Sequence, residues 1–286
     1  MPANFPPSGT ATREISGMGT PDILGSYGTF SFYTEDLAAF EGSDVSGGDV
    51  FPVTVRDNEV RAFLQGPRNP FLVKPEKVKA EFTVYLDPDR PAAKIVLGDE
   101  EVLLEEGGWS GWVPVELDLI PTQSLSVMCR FYLKEVRPVF QLYATPLNLD
   151  PFNPPMPIST PASYAAELAE ATGRYYTQGM PEDTKAPSEG VFDRSDFLTQ
   201  ATLSGEEYIE QYKYILSRFE SGLLFYYFGH VDQVSHMMWR PMDPDHPTYD
   251  PDVDAPFADA VKQLYVQLDG VVGYTLDHLP ADTLLV

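Results

Sequence analysis

Alternating apolar and polar residues dominate the chain from about residue 29 to about residue 150. In the stretch 77–85 every second residue is apolar and the residues between are mostly polar, which is the pattern of a half-buried strand. Similar short runs recur at roughly 8–12-residue intervals with turn residues between them, a spacing typical of a sandwich or barrel. The predicted strands are 29–33, 50–55, 60–64, 78–86, 93–97, 101–104, 112–117, 124–133 and 140–143.

Helical spacing replaces this alternation after residue 160. Helices are predicted over 162–172, from a cap at Asp193 or Ser195 to about 219, and from Pro256 to about 279, with Gly205 as a break in the second. The continuous apolar run 223–228 predicts a strand covered on both faces, and 283–286 predicts another. Strand, helix and strand in this order imply a parallel crossover.

These patterns predict an α/β fold in which a β-rich, sandwich-like domain is inserted beside a parallel sheet with flanking helices. The 286 residues fit one large domain or two ordinary ones. We divide them into a connector over 1–28, a β-rich insert over 29–150 and an α/β segment over 151–286. Because 283–286 reads as a strand with no turn after it, we expect this sequence to be an internal piece of a longer protein.

The charge balance excludes some classes of partner. Asp and Glu number 43 against 19 Lys and Arg, giving a net charge of −24, so nucleic-acid binding through a basic surface is not expected, and an anionic membrane is disfavoured as the main partner. No apolar run approaches the ~18 residues of a membrane span. Cys129 is the single cysteine and is predicted to be a small core residue, so a metal would need histidines and carboxylates. Compartment and oligomeric state are left open.

Candidate metal chemistry follows the predicted strand 223–228. Sites in parallel α/β sheets gather beyond the carboxyl ends of strands, and Asp232 and His236 are four residues apart just past this end. If a helical turn starts there, a carboxylate oxygen and an imidazole nitrogen project from one face and can share a divalent ion. In the alternative without a metal, Asp232 caps the next turn and His236 is a surface or core histidine with its hydrogen bonds satisfied. His230 is a weaker ligand candidate and otherwise orients the loop or faces substrate.

Three further polar features lie in the second half of the chain. The stretch 242–254 holds five aspartates, but it lacks the Gly and Glu of an EF-hand loop, so a solvated, proline-rich loop is favoured over calcium binding. The loop 179–185 is predicted to be solvent-exposed, with the alternative that Lys185 reaches over a site as a cation for phosphate. His278 is expected to bond the terminal carbonyls of its helix.

The stretch 225–236, Phe-Tyr-Tyr-Phe-Gly-His-Val-Asp-Gln-Val-Ser-His, is followed by a predicted long helix and by Leu-Leu-Val at 284–286. It resembles the central part of type I phosphodiesterase/nucleotide pyrophosphatase proteins of the alkaline phosphatase superfamily. The stretches 2–6, 17–22 and 178–185 are similar to uncharacterised bacterial and archaeal members. Ser235 stands where family members usually have Gly. By this resemblance, Asp232 and His236 are two ligands of one zinc.

The resemblance implies a metal-dependent phosphoester hydrolase acting on a small-molecule diester or nucleotide pyrophosphate, with two divalent ions of the zinc class. The family's Thr or Ser nucleophile and an early Asp ligand would precede Met1, and an Asp-His pair would follow Val286, so no catalytic nucleophile is assigned within the chain. A phosphomutase or sulfatase of the superfamily would use the same ligands. A non-enzymatic sandwich with Trp109 and Trp112 as a binding platform is the other alternative, although these side chains are favoured to pack the insert against its neighbour.

Overall fold

The computed structural model describes residues 5–40, 47–280 and 282–286; residues 2–4 of the resemblance stretch 2–6 lie outside this part. The strands are β1 (Glu14–Ile15), β2 (Phe30–Thr34), β3 (Gly48–Pro52), β4 (Glu59–Arg68), β5 (Lys77–Leu86), β6 (Ala92–Leu97), β7 (Glu100–Glu105), β8 (Gly108–Trp109), β9 (Val113–Ile120), β10 (Gln123–Cys129), β11 (Phe131–Glu135), β12 (Gln141–Ala144), β13 (Asn148–Leu149) and β14 (Ser159–Thr160). The helices are α1 (Tyr164–Thr172), α2 (Lys185–Ser188), α3 (Arg194–Leu216), α4 (His230–Met242), α5 (Pro251–Asp254) and α6 (Ala260–His278).

The β-rich half forms as predicted. Its larger sheets have the orders β3-β2-β12-β11-β8, β4-β5-β6-β7 and β13-β10-β9, and their apolar faces share one core. The alternation in 77–85 is real, because Val78, Phe82 and Val84 are buried in that core. Cys129 is also fully buried, so its prediction as a core residue is confirmed. The predicted strand 124–133 instead divides at Arg130 into β10 and β11, which belong to different sheets.

The five-stranded sheet joins the two halves because both of its faces are covered. Tyr33 and Leu142 face the core shared by the β-sheets. Phe32 and Tyr143 face the other way and pack with Phe192, which directly precedes the cap of α3. The sheet therefore fixes the start of the longest helix.

Helix α3 begins where the sequence predicted. The Asp193 side chain accepts from the Asp196 backbone, and the Asp196 side chain accepts from the Asp193 backbone, which completes a capping box. The helix does not break at Gly205, so that prediction is wrong. A Cβ at Gly205 would lie 3.0 Å from Cδ2 of His230, and the glycine thus allows close contact with the start of α4.

The predicted strands at 223–228 and 283–286 do not form, and the described residues contain no parallel crossover between them. Exposure alternates along 223–228: Leu224, Tyr226 and Phe228 pack on α3 and α6, whereas the residues between them are exposed. A run with this period becomes a strand only beside another strand, and none lies beside it in the described part. The fold is mixed α/β with mostly antiparallel sheets; the parallel pair among the described strands is β2 with β3.

Within the described ranges, no helix combines the length and apolar character needed to cross a membrane.

Candidate functional site

Helix α4 directs Asp232 and His236 to solvent because its opposite face is buried. Val234 and Met238 are almost fully buried and pack with Phe197 of α3 and with residues of α6. Asp232 lies two residues from Val234, and His236 lies two residues from both Val234 and Met238. A step of two residues is about 200° around a helix with 3.6 residues per turn. Packing of the apolar face therefore sets the orientation of the polar pair.

The two side chains of this pair lie side by side. The distance from Asp232 Oδ1 to His236 Nε2 is 3.5 Å, and both side chains are more than half exposed. The helical spacing that the sequence analysis required is thus present. Metal binding stays a prediction, since the described residues hold no group of three or more His, Cys, Asp or Glu arranged around one ion.

Gln233 contacts Asp232 from the inner side of the pair, a contact that the sequence analysis missed. Its Nε2 donates to Asp232 Oδ2 at 3.4 Å, which leaves Oδ1 on the side of His236. The Gln233 side chain also lines a small cavity together with Gln178, Glu182 and Lys185. The only sequence feature that indicated this contact is that Gln233 directly follows Asp232.

Lys185 is held within this cavity wall rather than extended into solvent. Its Nζ donates to the Gly28 carbonyl at 3.2 Å. Lys185 also begins α2, where its backbone N–H donates to Asp183 Oδ1 at 3.0 Å. Lys185 and Gln233 line the same cavity, and the alternative that Lys185 reaches over a site as a cation for phosphate stays a prediction.

The loop 179–185 contains no exposed residue, since Pro181 and Glu182 are buried and the rest are half-buried, so the prediction of solvent exposure is wrong. Glu182 is 4% exposed and accepts from Ser204 Oγ at 2.8 Å. Asp183 accepts from the Tyr143 hydroxyl at 2.7 Å. Burial raises the pKa of Glu182 to about 7 and raises the pKa of Asp183 as well. Partners from distant elements make burial of this polar loop feasible.

His230 is the first residue of α4, and its side chain is buried and does not lie beside Asp232 on the exposed face. It is 1% exposed, and its ring stacks on Tyr208 at a centroid distance of 5.7 Å. Neither ring nitrogen has a hydrogen-bond partner among the described residues. Burial lowers the pKa of His230 to about 4, so the imidazole is neutral near pH 7.

The other end of α4 is held by buried charge. Asp254 Oδ1 lies 2.6 Å from Arg194 Nη2 of α3 and 3.0 Å from Arg240 Nη2 of α4. Asp254 is fully buried, and Asp250 caps α5 by accepting from Asp252 N. These contacts account for the burial of Asp254 and for the position of Asp250 at the start of α5.

The remaining histidines have local roles. His278 Nδ1 lies 2.7 Å from the Tyr274 carbonyl oxygen, so its predicted bond to a terminal carbonyl is confirmed. His246 Nδ1 accepts from the Thr248 backbone at 3.2 Å. Neither contributes to the pair on α4 in the described structure.

The geometry thus places two side chains that could bind a metal, Asp232 and His236, next to each other. Gln233 donates a hydrogen bond to Asp232 and also lines the polar cavity. Comparisons with family models, with curated proteins and with solved structures found nothing that matches this chain.

Proposed function

We propose that the protein is a metal-dependent phosphoester hydrolase of the phosphodiesterase/nucleotide pyrophosphatase type, in which Asp232 and His236 hold one of two zinc-class ions. The observation that carries this proposal is the 3.5 Å distance between Asp232 Oδ1 and His236 Nε2 on the exposed face of α4. Two donors that are each ~2.0–2.2 Å from a tetrahedral zinc lie roughly 3.3–3.6 Å apart. The residues present therefore fit one edge of such a coordination shell.

The rest of that shell would come from outside the described residues. A catalytic zinc usually has about three protein ligands and one open position, and this pair supplies two. The proposal includes the Thr or Ser nucleophile and the further ligands that the resemblance implies.

The side chains of this chain would act by binding and orientation. Asp232 presents an anionic oxygen through Oδ1 while Gln233 binds Oδ2, in the manner of residues that orient metal ligands. His236 presents Nε2 as a nitrogen ligand on the same side as Asp232 Oδ1. When bound, the ions would stabilise the charge that develops on the phosphoryl oxygens and on the attacking and leaving oxygens.

Packing of the tryptophans favours this proposal over a glycan- or protein-binding sandwich. The Trp109 ring stacks on Tyr132 at 4.8 Å, and Trp112 Nε1 donates to Glu207 Oε1 of α3 at 2.8 Å. Both rings are only partly accessible. They pack the β-rich half against the helical half and do not form an exposed platform.

The experiment is hydrolysis of bis(p-nitrophenyl) phosphate by the complete product of the gene, with and without zinc. We expect zinc-dependent turnover, and a loss of at least about 10²-fold in kcat/KM for Asp232→Asn and for His236→Ala, because even residues that only orient ligands cost 10–100-fold. His246→Ala, at a half-buried position, and Asp252→Asn, at an exposed one, are matched controls away from the pair and should leave the rate unchanged. Full activity in the Asp232 and His236 variants would refute the proposal.

The 286-residue chain tested by itself is a second arm of this experiment. With two ligands among its described residues, we expect no zinc-dependent turnover. Turnover by this chain alone would show that the nucleophile and ligand assignment is wrong.

A further inference from the structure

The loop between β4 and β5 exposes an apolar tip at the end of a rigid hairpin. Phe71, Leu72 and Val73 are 54%, 45% and 103% exposed, and they are consecutive residues between Pro70 and Pro75. Proline fixes φ, so the prolines limit how far this tip can fold back. Consecutive exposed apolar side chains of this size usually mark an interaction site.

The base of the tip is fixed by Asn69, which is 4% exposed. Its Nδ2 donates to the Leu119 carbonyl at 2.6 Å, and its Oδ1 accepts from the Phe71 backbone at 3.0 Å. The Asn69 backbone N–H donates to the Glu76 carbonyl at 2.8 Å. These bonds join the hairpin to the neighbouring strand β9, so the apolar side chains project from a preorganised support.

Basic residues surround the tip, although the chain as a whole is strongly acidic. Residues 68–79 contain one acidic residue, Glu76, and four basic residues. The basic residues are Arg68, Lys74, Lys77 and Lys79. The segment therefore has a local charge of about +3 within a chain of net charge −24.

Strand pairing places these cations together. Arg68 is directly opposite Lys77 in the β4–β5 register, and Lys79 shares the face of Lys77 because side chains two residues apart point the same way. Like charges directly opposite each other destabilise a sheet, and none of these three residues has an ion-pair partner among the described residues. Farther from the tip, Glu81 continues the same face. The positive surface is thus confined to the end of the hairpin.

We propose that this hairpin is a docking site for the surface of an anionic lipid bilayer. Phe71, Leu72 and Val73 would enter the boundary between headgroups and acyl chains, and the surrounding lysines and Arg68 would bind headgroup phosphates. A convex apolar tip inserts into a fluid phase without a preformed groove, which favours a bilayer over a folded protein. At physiological salt, charges beyond ~8 Å are largely screened, so the local positive charge outweighs the repulsion that the net charge predicts.

The test is flotation of the 286-residue chain with vesicles of phosphatidylcholine alone and of phosphatidylcholine mixed with phosphatidylglycerol. We expect binding to the mixed vesicles that weakens in high salt. Lys74→Gln with Lys77→Gln should lower partitioning roughly 25-fold, because each basic residue at the surface contributes about fivefold. Replacing Phe71, Leu72 and Val73 by Ser should lower it at least about tenfold.

Leu103→Ser and Lys262→Gln are matched controls, because both positions are exposed elsewhere on the molecule, and they should leave partitioning unchanged. Val73→Ser alone, at a fully exposed position, provides a reading if the triple variant fails to fold. Absence of binding to mixed vesicles, or equal binding by the tip variants and the wild type, would overturn the proposal. Retention on a polyglutamate matrix without vesicle binding would also overturn it, and would indicate an acidic protein partner.

Discussion

Replacing Glu182 by Gln should change how the stability of the protein depends on pH. Glu182 is buried and its carboxylate accepts from the Ser204 hydroxyl. No ion pair with Glu182 occurs among the described residues, so the hydrogen bond from Ser204 offsets only part of the cost of burying its charge. Burial accordingly raises the pKa of this carboxyl from its ordinary value of 4.5 to about 7.

The difference between these two pKa values fixes the sign and size of the effect. The folded state holds the proton more tightly than the unfolded state, so the stabilising contribution of Glu182 is fully present below pH 4.5. This contribution is lost as the pH rises from 4.5 to about 7. Above that, the free energy of unfolding no longer changes through Glu182. At about 1.4 kcal/mol per pH unit, the loss between pH 5 and pH 8 is about 2–3 kcal/mol.

Urea denaturation at pH 5 and pH 8 measures this loss. Glu182→Gln keeps the volume and an acceptor for Ser204 but cannot ionise, so its free energy of unfolding should fall by about 2–3 kcal/mol less than that of the wild type between these pH values. Glu206→Gln, at an exposed position on the same helix, is the control and should behave like the wild type. The reasoning is refuted if Glu182→Gln shows the pH dependence of the wild type.

Two further predictions concern helix α3. Glu207→Ala should lower the free energy of unfolding by about 3–5 kcal/mol, because it leaves the buried Arg130 guanidinium without its carboxylate; chemical denaturation measures this, and a loss below about 1 kcal/mol would contradict it. Gly205→Ala should lower the melting temperature, because its Cβ would press on the buried His230 ring at 3.0 Å, whereas Gly270→Ala, which meets nothing within 4 Å, should raise stability by about 1 kcal/mol. Equal responses of the two glycine variants would show that the contact with the histidine is unimportant.

The sequence predicted the elements whose cause is local. Strand β5 follows from period-two alternation, and α3 follows from a capping residue at Asp193, because both signals lie within a few residues of the element. The shared direction of Asp232 and His236 is local too, since it requires only a helix across five residues. The adjacency of these two side chains was therefore accessible to sequence reasoning.

Features that depend on distant partners could not be predicted in this way. Glu182 is buried with a hydrogen bond from Ser204, and Gly205 leaves room for close contact with His230. The apolar run 223–228 gave no information on which strand would pair with it, and in the described structure its second face stays exposed. For Glu182 and Gly205, the contact that matters joins residues more than twenty positions apart in the sequence. For 223–228, the described structure contains no neighbouring strand.

The central claim is that Asp232 and His236 bind one metal ion. The most direct measurement is anomalous diffraction at the zinc absorption edge, from crystals of the complete gene product grown with zinc. The proposal predicts an anomalous peak ~2.0–2.2 Å from both Asp232 Oδ1 and His236 Nε2, and no peak there in Asp232→Asn. Zinc bound elsewhere, with these two atoms free of metal, would contradict the assignment.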